Sequence, residues 1–87
     1  METKWIMNNN ITIKIDPSRD DARREGPHCN VYKCGRRVGR IQIDNYGSVR
    51  WSSPPDGNIN RTEQNQIESF VSSIAFKIID SYSKIRG

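Results

Sequence analysis

Side chains that could contact a ligand recur at every second position of several predicted strands. They are Lys14, His28, Asn30, Tyr32, Arg40 and Arg50, with Arg36 and Arg37 at the tip of a predicted hairpin. Alternate residues of a strand share one face of the sheet. Cations bind phosphate oxygens, and an aromatic ring beside them can stack on a base. This pattern predicts a basic binding face for RNA, DNA or a protein partner, although long side chains that merely cover a solvated sheet give the same pattern.

His28 is the only histidine, and a histidine can act as a general base near neutral pH. With Tyr32 and Arg40 on the same predicted face, it could form the site of a metal-independent ribonuclease. The opposing interpretation makes His28 a structural residue that follows Pro27 at the end of a loop. No second base accompanies it, so catalysis is the alternative hypothesis and binding without turnover is the preferred one.

The sequence predicts neither a metal site nor a cofactor. The aspartates lack the glycine-punctuated spacing of a calcium loop. His28 and Cys34 share a predicted face, but about 20 Å of extended strand separates them, too far for a common zinc ion. Cys29 and Cys34 are about 16 Å apart on the same strand, which argues against a disulfide between them. We expect one buried and one exposed thiol.

Four stretches have the alternating or β-branched character of strands. They are residues 11–15, 28–34, 37–44 and 48–52. The turn between the second and third is predicted at Gly35–Arg36. The polar segment 16–27 is long for a loop in so small a domain, and we expect it to take part in partner contacts.

A single long helix is predicted to follow Asn60. Asn60 and Glu63 have the spacing of a capping box, in which each side chain accepts a hydrogen bond from the other residue's backbone. Apolar residues then recur at steps of three and four, as an amphipathic helix requires. They are Ile67, Phe70, Val71, Ile74, Ile78, Tyr82 and Ile85.

These elements predict an α+β domain in which a four-stranded antiparallel meander is packed on one face by the C-terminal helix. Residues 1–10 are expected to be a flexible lead, and residues 11–87 the domain. Strand parity assigns one row to the helix side: Ile11, Ile13, Ile15, Cys29, Val31, Gly39, Ile41, Ile43, Val49 and Trp51. It assigns the opposite row, including Val38 and the binding residues above, to solvent.

The helix is longer than the strands, so its last turns should overhang the sheet at Tyr82 and Ile85. Either the segment around Trp5 folds back beneath them, or a second copy of the chain covers them. The second possibility predicts a homodimer through the C-terminal end of the helix.

Composition limits the remaining choices. The chain has 87 residues, of which 33% are hydrophobic, and its mean hydropathy is -0.82. No apolar stretch is long enough to span a membrane, and residues 1–7 lack the core of a signal peptide, so a cytoplasmic location without membrane contact is expected. The net charge of +4 lies in residues 1–50, which hold ten Lys/Arg against six Asp/Glu. An excess of this size fits a nucleic-acid partner and also fits ordinary solubility.

Two segments, Gly26–Tyr32 and Gly35–Ile41, resemble a bacterial family known only as a domain of unknown function. Its members show Pro-His-x-His-Val on a strand, then a hairpin, a basic strand and a terminal helix. Asn30 replaces the second histidine here, and Tyr82 falls where the relatives often have Trp. The resemblance implies a small prokaryotic or phage protein of a regulatory, toxin–antitoxin-like system, and it implies no particular activity.

Overall fold

In the computed structural model, residues 3–17, 26–52, 55 and 57–86 are described, with side chains described as far as Ser83. Five strands precede one helix: β1 Thr3–Ile6, β2 Ile11–Ile15, β3 His28–Lys33, β4 Arg36–Ile43, β5 Val49–Trp51 and α1 Arg61–Arg86. The strands form an antiparallel sheet in the order β1-β2-β3-β4-β5. The chain is therefore an α+β domain with an antiparallel sheet and one C-terminal helix, as predicted. Within the described residues, no helix is long and apolar enough to cross a membrane.

The prediction of four strands was wrong, because β1 lies inside the ten residues expected to be a flexible lead. Trp5 pairs directly with Ile13 of β2, and Lys4 pairs with Lys14. The connection between the strands is a local turn in which the Asn8 Oδ1 accepts hydrogen bonds from the backbone N–H groups of Asn10 and Ile11, both at 2.8 Å. An asparagine side chain that bonds to the backbone two residues on is a standard turn device. The run of asparagines is thus a hairpin turn.

The core lies between the sheet and α1. The strand residues assigned to the helix side are buried or half-buried, and on α1 the predicted stripe is buried at Ile67, Val71, Ile74, Ile78 and Tyr82. Trp5 and Met7 of the N-terminal hairpin also pack against this core. Burying this many large aliphatic groups, at roughly 1.5–3 kcal/mol each, is what holds so small a domain together.

Two strand details differ from the prediction. The hairpin turn is Cys34–Gly35, one residue earlier than expected, and both residues have positive φ (52° and 82°), as a two-residue type I′ turn requires. A β-bulge then shifts the register between Val31 and Tyr32, so that Val38 is the extra residue on β4. Val38, which simple alternation placed on the solvent side, is buried in the core for this reason.

Gly39 provides space for the Trp51 ring. A Cβ on Gly39 would come within 2.6 Å of the Trp51 Cζ3. Strand parity places Gly39 on the helix side, and there the indole of the neighbouring edge strand β5 fills the space beside it. This is a contact between an aromatic ring and a strand glycine.

Capping of α1 agrees with the predicted pattern. The Asn60 Oδ1 accepts a hydrogen bond from the Glu63 N–H at 2.8 Å, and the Glu63 Oε1 accepts one from the Asn60 N–H at 3.2 Å. Lys33 of β3 adds an ion pair to Glu63 at 3.0 Å and donates to the Asn58 carbonyl at 2.8 Å. The start of the helix is thereby tied to the end of β3.

Candidate functional site

The sheet surface that α1 does not cover, called the outer face below, carries a row of polar residues across four strands. Lys4 lies opposite Lys14, Lys14 opposite Asn30, and Asn30 opposite Arg40. Neighbouring strands are about 4.8 Å apart, so the row spans about 14 Å. We call Lys4, Lys14 and Arg40 the cation row. Lys14, Asn30 and Arg40 were predicted on this face, and the structure brings them together.

Sequence reasoning missed Lys4, because residues 1–10 were not assigned to the sheet. The signal was present in the asparagine run, which marks a turn, and in Trp5, which belongs to the core. Once β1 pairs with β2, Lys4 must share a face with Lys14. Lys4 extends the basic surface to the edge of the sheet.

The pairing of Lys4 with Lys14 is electrostatically unfavourable. Like charges directly opposite each other on neighbouring strands destabilise a sheet. Neither ammonium group has an acidic partner among the residues that the structure describes, and the same is true of Arg37 and Arg50. The ion pair that the described residues do form, between Lys33 and Glu63, lies on the helix side. At these four residues, positive charge therefore accumulates on the outer face without an acidic partner in the described part of the chain.

Tyr32 provides the aromatic surface of the outer face. It is half-buried, and the Lys14 Nζ lies 4.4 Å from the centroid of its ring. This is a cation–π contact. It places the phenol ring next to the cation row, where a base stacked on the ring would have phosphates within reach of lysine.

The arginines at the hairpin separate to the two faces. Arg37 lies opposite Tyr32 and so belongs to the outer face. Arg36 lies opposite Lys33, whose ammonium group reaches the helix start, and so it belongs to the helix side. Arg36 was predicted among the binding residues at the hairpin tip, and the register places it away from the outer face.

Asn30 occupies the centre of the cation row. Its Oδ1 is buried and has no hydrogen-bond partner among the described residues. An unsatisfied buried acceptor costs roughly 1–3 kcal/mol, so this amide lowers the stability of the fold at the centre of the cation row.

His28 was predicted on the solvated face, and the structure buries it. Only 6% of the residue is exposed, and its ring lies 5.7 Å from that of Tyr82 on α1. The His28 Nδ1 is 2.9 Å from the Gly26 carbonyl. Because a carbonyl only accepts, the proton lies on Nδ1. The Tyr82 hydroxyl in turn donates to the His28 carbonyl at 3.0 Å. His28 thus joins the loop, the strand and the helix.

The constellation required for a ribonuclease is not assembled. His28 and Tyr32 are four residues apart on β3, or about 13 Å, and Tyr32 lies on the far side of Asn30. A base and its partners must lie within hydrogen-bond reach of one substrate. Tyr82 is itself buried within the chain, against His28, so it gives no support to the predicted dimer; the side chain of Ile85, also named in that prediction, lies outside the described residues.

The two cysteines differ as expected. Cys29 is buried, and this burial raises the pKa of its thiol to about 12, despite an opposing hydrogen bond with the backbone of Ile41. Cys34 is exposed in the hairpin turn. Neither is in a disulfide. In the ranges that the structure describes, no group of three or more His, Cys, Asp and Glu side chains is placed to hold a metal ion.

At one end of the outer face there is an open depression of about 400 Å³. It is lined by Pro27, Gln42, Ile43, Asp44, Ser48, Val49 and Arg50. Arg50 was among the predicted binding residues, whereas the depression itself was not predicted. Most of the predicted contact loop, residues 18–25, lies outside the described residues.

Comparisons with protein-family models, curated proteins and solved structures found no match. The resemblance to the domain family of unknown function therefore stays a prediction. What can be said of function depends on the outer face itself.

Proposed function

We propose that this protein is a small non-catalytic binding module that holds a nucleic acid on the outer face of its sheet. The observation that carries the proposal is the direct opposition of Lys4 and Lys14 without an acidic partner in the described chain. A fold gains nothing from this repulsion. A phosphate placed between the two ammonium groups would relieve it.

The composition of the face favours a nucleic acid over a protein partner. The cores of protein–protein interfaces are rich in aromatic and apolar residues and poor in lysine. Among the described residues, the outer face instead combines four cations with the aromatic ring of Tyr32 and one exposed aliphatic residue, Ile6; the cations are Lys4, Lys14, Arg37 and Arg50. Cations that follow a backbone, next to a ring on which a base can stack, are the usual means of holding nucleic acid without strong sequence preference.

Binding of a fluorescently labelled single-stranded oligonucleotide at low salt tests the proposal. The double change Lys14→Glu with Arg50→Glu reverses two charges of the outer face, and we expect it to weaken binding at least tenfold. The matched control reverses two exposed charges of α1, Arg61→Glu with Lys77→Glu, and gives the same net charge. It should weaken binding much less.

A flexible acidic polypeptide such as polyglutamate is the competing probe. If it binds as tightly as the oligonucleotide and responds to the same variants, the outer face recognises negative charge on protein as readily as on nucleic acid. Equal losses in the two double variants would show that only net charge matters. Either result would contradict the proposal.

A further inference from the structure

The depression at the end of the outer face lies where β3 begins, β4 ends and β5 begins. Its volume of about 400 Å³ is within the range of small-ligand sites, at the lower end. Gln42 of β4 and Arg50 of β5 lie directly opposite each other, and both line the depression. Gln42 follows Arg40 of the cation row by two residues, which is about 7 Å along β4. The depression therefore continues the cation row.

The chemistry of the lining suits a nucleobase. Gln42 offers an amide that both donates and accepts, Arg50 offers donors, and the Ser48 hydroxyl offers either role. Glutamine and arginine side chains are common partners of base edges. Pro27 adds apolar surface against which a flat ring can lie.

An acidic group in the wall argues against a phosphate in the same place. The Asp44 Oδ1 accepts hydrogen bonds from the backbone N–H groups of Tyr46 and Ser48, both at 2.9 Å. This fixes a carboxylate at the depression, where it would repel a phosphate but would accept from the amino group of a base. Phosphates should therefore lie along the cation row and a base should enter the depression.

A second open groove, of about 330 Å³, lies near the hairpin turn and includes Lys33 and Arg36. Its lysine is already engaged by Glu63 and by the Asn58 carbonyl. Arg50, by contrast, has no acidic partner in the described part of the chain. The depression at Arg50 is the better site for an incoming ligand.

We infer that the depression receives one unstacked base of a single-stranded nucleic acid whose backbone follows the cation row. This inference rests on the proposed function and deepens it by naming the kind of nucleic acid. A base inside a duplex cannot leave its stack without cost. The preferred ligand is thus a single strand, and the side chains of Gln42 and Arg50 contact its base.

The experiment compares single-stranded oligonucleotides of about six nucleotides with a fully abasic strand of equal length and charge. For the wild-type protein, the best homopolymer should bind about tenfold more tightly than the abasic strand. Gln42→Ala changes no charge and should reduce this ratio several-fold, while leaving the affinity for the abasic strand unchanged. Gln66→Ala, at an exposed position of α1, is the matched control and should leave the ratio intact.

Base preference could instead come from stacking on Tyr32, so Tyr32→Leu is measured in parallel. If Tyr32→Leu abolishes the ratio and Gln42→Ala does not, the base lies on Tyr32 and the inference is wrong, although the proposed function stands. If abasic and base-bearing strands bind the wild-type protein equally, the inference is again wrong and the proposed function again stands. If no strand binds at low salt, both the inference and the proposed function fail.

Discussion

Two lysines on neighbouring strands, Lys33 of β3 and Lys14 of β2, show how differently the two faces of the sheet use charge. Lys33 lies on the helix side, where it pairs with Glu63 and donates to the Asn58 carbonyl. Lys14 lies on the outer face, opposite Lys4, with only the ring of Tyr32 as its partner in the described structure. The first cation stabilises the fold through an ion pair, whereas the second has no acidic partner among the described residues.

The same contrast holds for other polar groups. His28 is engaged by Gly26 and by Tyr82 of α1, while the Asn30 Oδ1 on the outer face has no partner among the described residues. Under the proposed function, the helix side of this thin sheet provides stability and the outer face provides binding. Substitutions on the two sides should therefore have separable effects.

The largest expected effect comes from Ile41, which is fully buried on the helix side. Ile41→Ala should lower the free energy of unfolding by about 2–5 kcal/mol, because it removes buried methyl groups and leaves a cavity. Gln42, one residue further on, faces the other way, so Gln42→Ala should change the free energy of unfolding by less than about 0.5 kcal/mol. Urea denaturation measures both. Similar free energies of unfolding for the two variants would contradict the claim that only the helix side of the sheet provides stability.

A smaller effect is expected at Gly39, where the Trp51 ring occupies the space that a side chain would need. Gly39→Ala should destabilise the protein by about 1–3 kcal/mol, since the new Cβ would lie 2.6 Å from the Trp51 Cζ3. It should also change the tryptophan fluorescence of the folded state. Gly57→Ala is the control, because its Cβ would meet nothing within 4 Å. An unchanged stability in Gly39→Ala would show that the indole does not rest on the glycine.

The third prediction concerns the pH dependence of the stability that the Lys33–Glu63 ion pair provides. The pKa of Glu63 is lowered by its hydrogen bond from Lys33 and, less strongly, by that from the Asn60 backbone. A carboxylate with a lowered pKa stabilises the fold at pH above its unfolded pKa, and this stabilisation is lost as the pH falls through the folded pKa. Glu63→Gln keeps the capping geometry but not the charge.

Wild-type protein should therefore be more stable than Glu63→Gln at neutral pH, with the difference disappearing as the pH falls below about 4.5. Thermal denaturation across this range measures the difference. A difference between the two proteins that stays constant with pH would contradict the role given to the ion pair.

The smallest expected effect is a gain. Lys4→Gln removes the repulsion between Lys4 and Lys14 and should raise the free energy of unfolding by a few tenths of a kcal/mol. The same change should weaken oligonucleotide binding. If Lys4→Gln instead destabilises the fold, then Lys4 has a structural role. Its position opposite Lys14 would then no longer be evidence for a binding function.

The parts of the fold that sequence predicted well are those set by local patterns. The capping box at Asn60 and the apolar stripe of α1 depend on residues close in sequence, and the structure has both. The alternation of β2 was equally clear, and it placed Lys14 correctly. The row from Lys14 to Arg40 could therefore be predicted without coordinates.

The errors came from contacts between distant segments. β1 is only four residues long, and it becomes a strand because β2 offers it an edge. Val38 is turned inward by a bulge that depends on pairing with β3. His28 is buried because Tyr82, far away in sequence, reaches its carbonyl. Alternation alone contains none of this information, so His28 was misplaced, whereas Lys14 and Arg40, which follow simple alternation, were placed correctly.

The salt dependence of single-strand binding tests the central claim most directly. For single strands, the logarithm of the affinity falls with the logarithm of salt concentration with a slope of about −0.7 per phosphate contact. Lys4→Gln with Lys14→Gln should make the slope shallower by about 1.4, because two phosphate contacts of the cation row are lost. Arg61→Gln with Lys77→Gln, on the helix, should leave it unchanged. Equal slopes for the wild-type protein and the outer-face variant would contradict the claim that this face holds the phosphates.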